Sequence, residues 1–142
     1  MSYVRGLAVA ARDAQAAIAS ADGATRRRLL QSMAEQLRAG QAAILAANAD
    51  DLAQAAANGA SKATLDRLGL DPERVQGMAE ALREVAVQAD PLGEVTRREV
   101  RPNGIVVERQ RIPLGLVAMI YEARPNVTAE AAALCLKAGN AV

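Results

Sequence analysis

The chain has 142 residues, with 17 Lys and Arg against 16 Asp and Glu and no histidine, for a net charge of +1. That balance leaves no electrostatic footprint for nucleic acid or an anionic membrane, and the missing histidines remove the commonest metal ligand and general base, so no metal site is expected. A single cysteine excludes an internal disulfide framework and fits a reducing, cytoplasmic setting, and no run approaches the ~20 apolar residues needed to span a bilayer.

Hydrophobic residues make up 51% of the chain, but many are alanine, there is no Phe or Trp, and the two tyrosines are the only aromatics. Each buried residue then removes less apolar area than Leu or Phe would, which predicts a helix-friendly but thin core. Asp13 and Asp22 argue against reading the amphipathic start, with Arg5 and Arg12, as a transit peptide.

From Ser2 to about Ala89 the apolar period is helical. Val4, Leu7, Ala8, Ala11 and Ile18 form a first stripe, broken at Asp22-Gly23. A second stripe, Leu29, Leu30, Met33 and Leu37, follows Thr25 as N-cap and stops at Ala39-Gly40. The third helix runs from Gln41 to about Ala57, where Asn48 intrudes on the apolar side and predicts a kink or a new cap at Asn48 or Asp50. Ser61 caps a short turn carrying Leu65 and Leu68. Asp71-Pro72 then starts a helix with Val75, Met78, Leu82 and Val85 at helical spacing. Asp90-Pro91-Leu92-Gly93 is the clearest boundary.

Beyond it the period becomes extended. Val95, Val100, Ile105, Val107 and Ile112 alternate with charges, and Pro102-Asn103-Gly104 divides two runs, which reads as a β-hairpin with a type I or primed turn. From Glu94 to Arg111 five arginines stand against three glutamates, a net of +2. A solvated ribbon whose charges protect its edges is the plainer reading. An isolated hairpin is marginal in water, so this one is expected to lie on other structure or on a second subunit.

Leu116 to Tyr121 reads as a fully buried strand, and Thr128 to Ala138 as a helix with Asn126 or Thr128 as N-cap, Glu130 in the first turn, Lys137 in the last and Gly139 beyond. Between them lies the polar loop Glu122-Ala123-Arg124-Pro125-Asn126-Val127, at the kind of strand-to-helix junction where open α/β sheets bind ligands. Asn140-Ala141-Val142 should open a second parallel strand, so the chain reads as stopping inside a βαβ unit, as a truncated form, a proteolytic fragment or an incomplete reading frame. No GxGxxG and no GxxxxGK[ST] is present. Cys135, between Leu134 and Leu136, reads as a buried structural thiol. By residue type alone Asn126 is a helix cap or a site amide, Arg124 a surface charge or an anion binder, and Tyr121 a core aromatic at a strand end.

The stretch Ile120-Tyr121-Glu122-Ala123-Arg124-Pro125-Asn126-Val127-Thr128, followed by Leu134-Cys135-Leu136-Lys137 and Gly139-Asn140-Ala141-Val142, resembles the gamma-glutamyl phosphate reductase family of the aldehyde dehydrogenase superfamily. Ile44 to Asp51, Leu65 to Leu68, Ala89 to Gly93 and Arg111 to Gly115 fall in the family's order. The resemblance covers essentially the whole chain but only the front portion of the family's enzyme, whose catalytic cysteine lies further on. It implies an α/β fold: a helical segment of the cofactor-binding domain over 1–93, a hairpin over 94–112 that serves homo-oligomerisation, and the first strand, loop and helix of a Rossmann-like parallel sheet over 113–142. The implied activity is NADPH-dependent reduction of L-glutamyl 5-phosphate to L-glutamate 5-semialdehyde and phosphate, in proline biosynthesis. The polypeptide by itself is expected to be inactive. The resemblance implies that Asn126 serves as the catalytic oxyanion donor and that Tyr121, Glu122, Ala123 and Pro125 line the cofactor site; Arg124, whose guanidinium fork suits a carboxylate or phosphate, is expected to bind substrate. Pro125 stands where ordinary aldehyde dehydrogenases carry an aromatic, which disfavours that branch. The remaining alternative is a non-catalytic helical interaction module.

Overall fold

The computed structural model describes residues 3–142; the expected helix start at Ser2 lies outside them. Helix α1 spans Tyr3–Ser20, and none of its residues is buried. The apolar stripe read for it leaves Val4 and Leu7 exposed, and a side-chain tie to the rest of the chain comes from Gln15, whose Nε2 donates to the Gly139 carbonyl at 3.3 Å.

Helix α2 (Gly23–Ala39) is capped by Asp22 rather than Thr25: the Asp22 Oδ1 accepts the Thr25 N–H at 2.6 Å. Asp22 has the extended backbone an N-cap needs, and three residues on is where its carboxylate reaches a free amide. Helix α3 (Gln41–Ala57) runs through Asn48 without a new cap. Ser61 caps α4 (Lys62–Leu68) and Asp71 caps α5 (Pro72–Val87), as expected.

Asn48 corrects its sequence reading. It is buried, its Nδ2 donates to the Leu68 carbonyl at 2.9 Å, and its Oδ1 accepts the Leu70 N–H at 2.7 Å. A polar residue on an apolar helix face is tolerated because both halves of its amide find backbone partners in the α4–α5 connection.

The core is formed by Leu30 and Ala34 of α2, Ala79, Leu82 and Ala86 of α5, and Ala133 of the last helix, α6 (Pro125–Lys137). Four of these six are alanines, so helices approach closely but little apolar area is removed per residue, in line with the composition.

A polar cluster pins the ends of this layer. Arg26 is buried and donates through Nη2 to both oxygens of Asp90 at 2.8 and 2.6 Å, and through Nη1 to the Ala21 carbonyl. Lys137 is buried too, its Nζ donating to the Ala86 carbonyl at 2.9 Å. Burial above all, and then the nearby Arg27 charge, hold the Lys137 ammonium below its ordinary range. The start of α2 is thereby tied to the turn at Asp90, and the end of α6 to the last turn of α5.

The hairpin pairs β1 (Val95–Val100) antiparallel with β2 (Val106–Gln110), with a bulge between Val95 and Arg97. Its turn is of the unprimed kind: the Gly104 N–H donates to the Arg101 carbonyl at 2.8 Å, and Gly104 rather than Pro102 or Asn103 has positive φ, at 82°. The expected apolar positions are exposed, Val100 at 71% and Ile112 at 75%.

The strand expected over Leu116 to Tyr121 is reduced to a parallel bridge, Leu116 with Ala141, made by Ala141 N–H to the Gly115 carbonyl and Val117 N–H to the Ala141 carbonyl, both at 2.9 Å. Past Val117 the segment has no ladder partner among the described residues, and it is not buried: Ile120 is 98% exposed. A strand is a pairing and not a local property of apolar residues, so the run does not become one. The parallel sense of the bridge agrees with the expected topology, but a Rossmann-like sheet is not formed within the described residues.

Candidate functional site

The backbone passes from the 116–121 segment into α6 within three residues. Ala123 makes this turn with φ of 49°, the one non-glycine residue of positive φ among those described. The left-handed conformation costs an L-residue roughly 1–2 kcal/mol, so the surrounding structure holds a strained loop here. Arg124 takes the cap position without a side-chain bond, and Pro125 opens the helix where its missing N–H forfeits nothing.

Helix α6 therefore starts three residues earlier than the sequence suggests, and Asn126 is its second residue instead of its cap. The Asn126 amide is free to point sideways, and its Nδ2 donates to Glu130 Oε1 at 2.9 Å. Asn126 and Glu130, with Arg124 and Pro125, line one wall of an open cleft of about 440 Å3. The opposite wall is the α4–α5 corner, which presents Arg67, Gly69, Leu70 and Arg74. Arg74 is committed to that corner, donating through Nη1 to the Asp66 and Gly69 carbonyls at 2.5 and 2.6 Å and through Nη2 to Asp66 Oδ1 at 3.1 Å. Arg124 lines the cleft, is exposed and makes no ion pair among the described residues.

Tyr121 lies elsewhere. Its hydroxyl is 2.5 Å from Thr128 Oγ1, and its half-exposed ring lines an apolar groove of about 430 Å3 together with Val117, Met119, Ala131 and the α1 residues Val4 and Leu7. Glu122 and Ala123 line neither space. The six residues singled out from the motif are thus divided: Arg124, Pro125 and Asn126 meet in the cleft, Tyr121 faces the groove, and Glu122 and Ala123 form the turn between them.

Cys135 is buried in α6, away from the cleft lining, and burial pushes its thiol up from the ordinary range. The sequence reading missed Glu130 and the α4–α5 corner as site components. For Glu130 a signal was present, since residues four apart share a helix face and Asn126 precedes it by four. The corner reaches the site only through tertiary packing.

No protein-family model matches the chain. It is 56% identical over 139 residues to the gamma-glutamyl phosphate reductase of Xanthomonas axonopodis pv. citri and 55% identical over 142 residues to that of Xylella fastidiosa, covering 98% and 100% of this chain and 34% of each of those proteins. The fold superposes with TM-score 0.94 on the crystal structure of gamma-glutamyl phosphate reductase from Thermotoga maritima, at 34% identity over 98% of this chain and 34% of that one. Against the Saccharomyces cerevisiae enzyme the TM-score is 0.90, at 30% identity over 99% of this chain and 36% of that one. The chain is homologous to the N-terminal part of gamma-glutamyl phosphate reductase. The family resemblance carried by the Ile120 to Thr128 motif is thereby borne out. The chain spans about a third of the length of the reductases it matches. No helix among the described residues is long and apolar enough to cross a membrane.

Proposed function

We propose that this sequence serves an NADPH-dependent reductase of L-glutamyl 5-phosphate, giving L-glutamate 5-semialdehyde and phosphate, and that its own contribution is the Arg124 to Asn126 wall of the cleft. The observation that carries the proposal is the Asn126 amide, turned out of the capping role and held in a cleft beside an exposed guanidinium. When a nucleophile attacks the acyl phosphate carbon, the carbonyl oxygen becomes negative. A fixed amide N–H stabilises that charge more than it stabilises the uncharged carbonyl, which lowers the barrier. Arg124 offers a planar fork suited to the carboxylate or phosphoryl oxygens of the substrate. The nucleophile of this reading is not Cys135, whose thiol is buried and held neutral.

Residues near the motif suit the nicotinamide end of a cofactor in one respect: the Tyr121 ring is fixed through its hydroxyl by Thr128 yet remains half exposed, so a flat ring has a surface to lie against. Of the four motif residues expected at the cofactor, Tyr121 offers that surface, while Pro125 lines the cleft and Glu122 and Ala123 form the turn between the two. NADPH, when bound, supplies the hydride that reduces the acyl group. The hairpin leaves Val100, Ile105 and Ile112 exposed, which supports a role in joining copies of the enzyme, and a cytoplasmic setting follows from the biosynthetic reaction.

The test is kinetic, in a protein in which residues 1–142 replace the matching third of the Xanthomonas axonopodis reductase. Asn126→Ala should lower kcat by ~10² to 10³ with a far smaller change in KM. Asn126→Asp should be at least as impaired, since a carboxylate repels an oxyanion. A folded Asp variant with the parental kcat would refute the assignment.

A further inference from the structure

We propose that Glu130 is a positioning residue for Asn126, fixing which end of the Asn126 amide faces the cleft. The proposal rests on the oxyanion reading above and extends it to a residue four positions further along the same helix.

An Asn side chain has an acceptor end and a donor end of nearly equal shape, and a half-turn about its last torsion exchanges them. An oxyanion donor with its carbonyl oxygen turned to the site would repel the charge it should stabilise. Something must therefore select the donor end. An ionised carboxylate only accepts hydrogen bonds, so a Glu at 2.9 Å selects the NH2 end unambiguously. The amide nitrogen carries two hydrogens. One is taken by Glu130 Oε1, and the planar amide then fixes the direction of the other.

Both residues sit on α6, four apart and on one face, and both line the cleft that Arg124 enters. Their relative placement is set by the helix and not by a loop, which makes the orientation stiff. The Glu130 charge itself opposes an oxyanion nearby, and the guanidiniums of Arg124 and Arg67 on the same cleft offset it. Orientation and charge thus pull in opposite directions, and the experiment separates them.

In the 142-residue chain, the side-chain amide signals of Asn126 are compared by NMR between the parent, Glu130→Gln and Glu130→Ala. Loss of the carboxylate acceptor should move them and speed their exchange with water, and Asn126 signals indifferent to every Glu130 substitution would overturn the proposal without touching the oxyanion reading. In the reductase carrying residues 1–142, Glu130→Ala should lower kcat by about 10- to 100-fold, on the scale seen when a group that orients a metal ligand is removed, with KM little changed. Alanine is a strong helix former, so α6 should persist, and thermal melts verify it. Glu130→Gln, which keeps an acceptor but can also present its own NH2, should retain more of kcat than the Ala variant. A parental or raised kcat in Glu130→Ala, while Asn126→Ala is impaired, would overturn the positioning role alone. A parental kcat in Asn126→Ala would overturn both.

Discussion

Replacing Asn48 by Leu tests whether one buried amide holds the α4–α5 corner that faces Asn126. Leucine matches asparagine roughly in size but neither donates nor accepts, so the Leu68 carbonyl and the Leu70 N–H lose their partners at 2.9 and 2.7 Å. An orphaned backbone group costs about 1–3 kcal/mol when water cannot replace the partner. Leu68 and Leu70 are half-buried, so water recovers part of that, and about 1 kcal/mol for each group is the reasonable figure. Leucine returns roughly 0.5 kcal/mol through its better helix propensity, which leaves a net loss of about 1.5 kcal/mol. For a domain of this size each kcal/mol moves the midpoint by about 3–4 °C, so the melt should fall by roughly 5 °C. Calorimetry or circular dichroism of the 142-residue chain measures it. Asn48→Asp provides the control, since it keeps the acceptor for Leu70 and loses the donor to Leu68. Its stability should recover in acid, as the new carboxyl takes a proton and can donate again. A melting temperature unchanged in Asn48→Leu would refute the bridging role and return Asn48 to the status of an incidental polar residue on a helix.

Gly139→Ala should be severe, because the added Cβ would lie 2.7 Å from Leu92 Cδ1 and 3.0 Å from Pro113 Cγ at a backbone φ of 71°. Left-handed strain and overpacking together predict a loss of about 2–4 kcal/mol, read from urea unfolding, and a wild-type midpoint would contradict the packing of the 92 and 113 turns on the end of α6. Acid stability should depend on Asp90. Burial alone would raise its carboxyl, but the Leu92 N–H and the Arg26 guanidinium overcome this and hold it below its ordinary value of 3.8. A carboxyl depressed in the folded state stabilises above its unfolded value and loses that contribution as pH falls through the lower folded one. The Asp90 contribution should therefore be flat above about pH 5 and decline below 4. Asp90→Asn should flatten part of the decline, the remainder coming from Asp22, which its bonds to Thr25 also depress. An acid limb identical to the parent's would show that the Asp90–Arg26 pair does not contribute.

What could be read from the sequence was what local chemistry decides. Ser61 and Asp71 announce their helices because a cap needs a short acceptor three residues ahead of a free amide, and both accept as expected. Pro102-Asn103-Gly104 announces its turn because the closing residue needs positive φ. What could not be read was whatever depends on a distant partner. Leu116 to Tyr121 has the composition of a buried strand, yet composition supplies no neighbour to pair with. The α1 stripe likewise fixes an amphipathic helix without fixing what covers it.

The site shows the same division within a few residues. Asn just after Pro reads as a cap by composition, and a cap would fully account for it. The reading fails because Pro125 itself is the first helical residue, which Ala123 makes feasible by taking up the turn at φ 49°. A strained alanine thus releases Asn126 from a structural duty and leaves its amide for Glu130 and the cleft. Nothing in the sequence marks Ala123 as left-handed, since Gly or Asn is the usual signal for that conformation. The role of Asn126 consequently depends on the backbone of its third neighbour upstream, a coupling that only the folded chain displays.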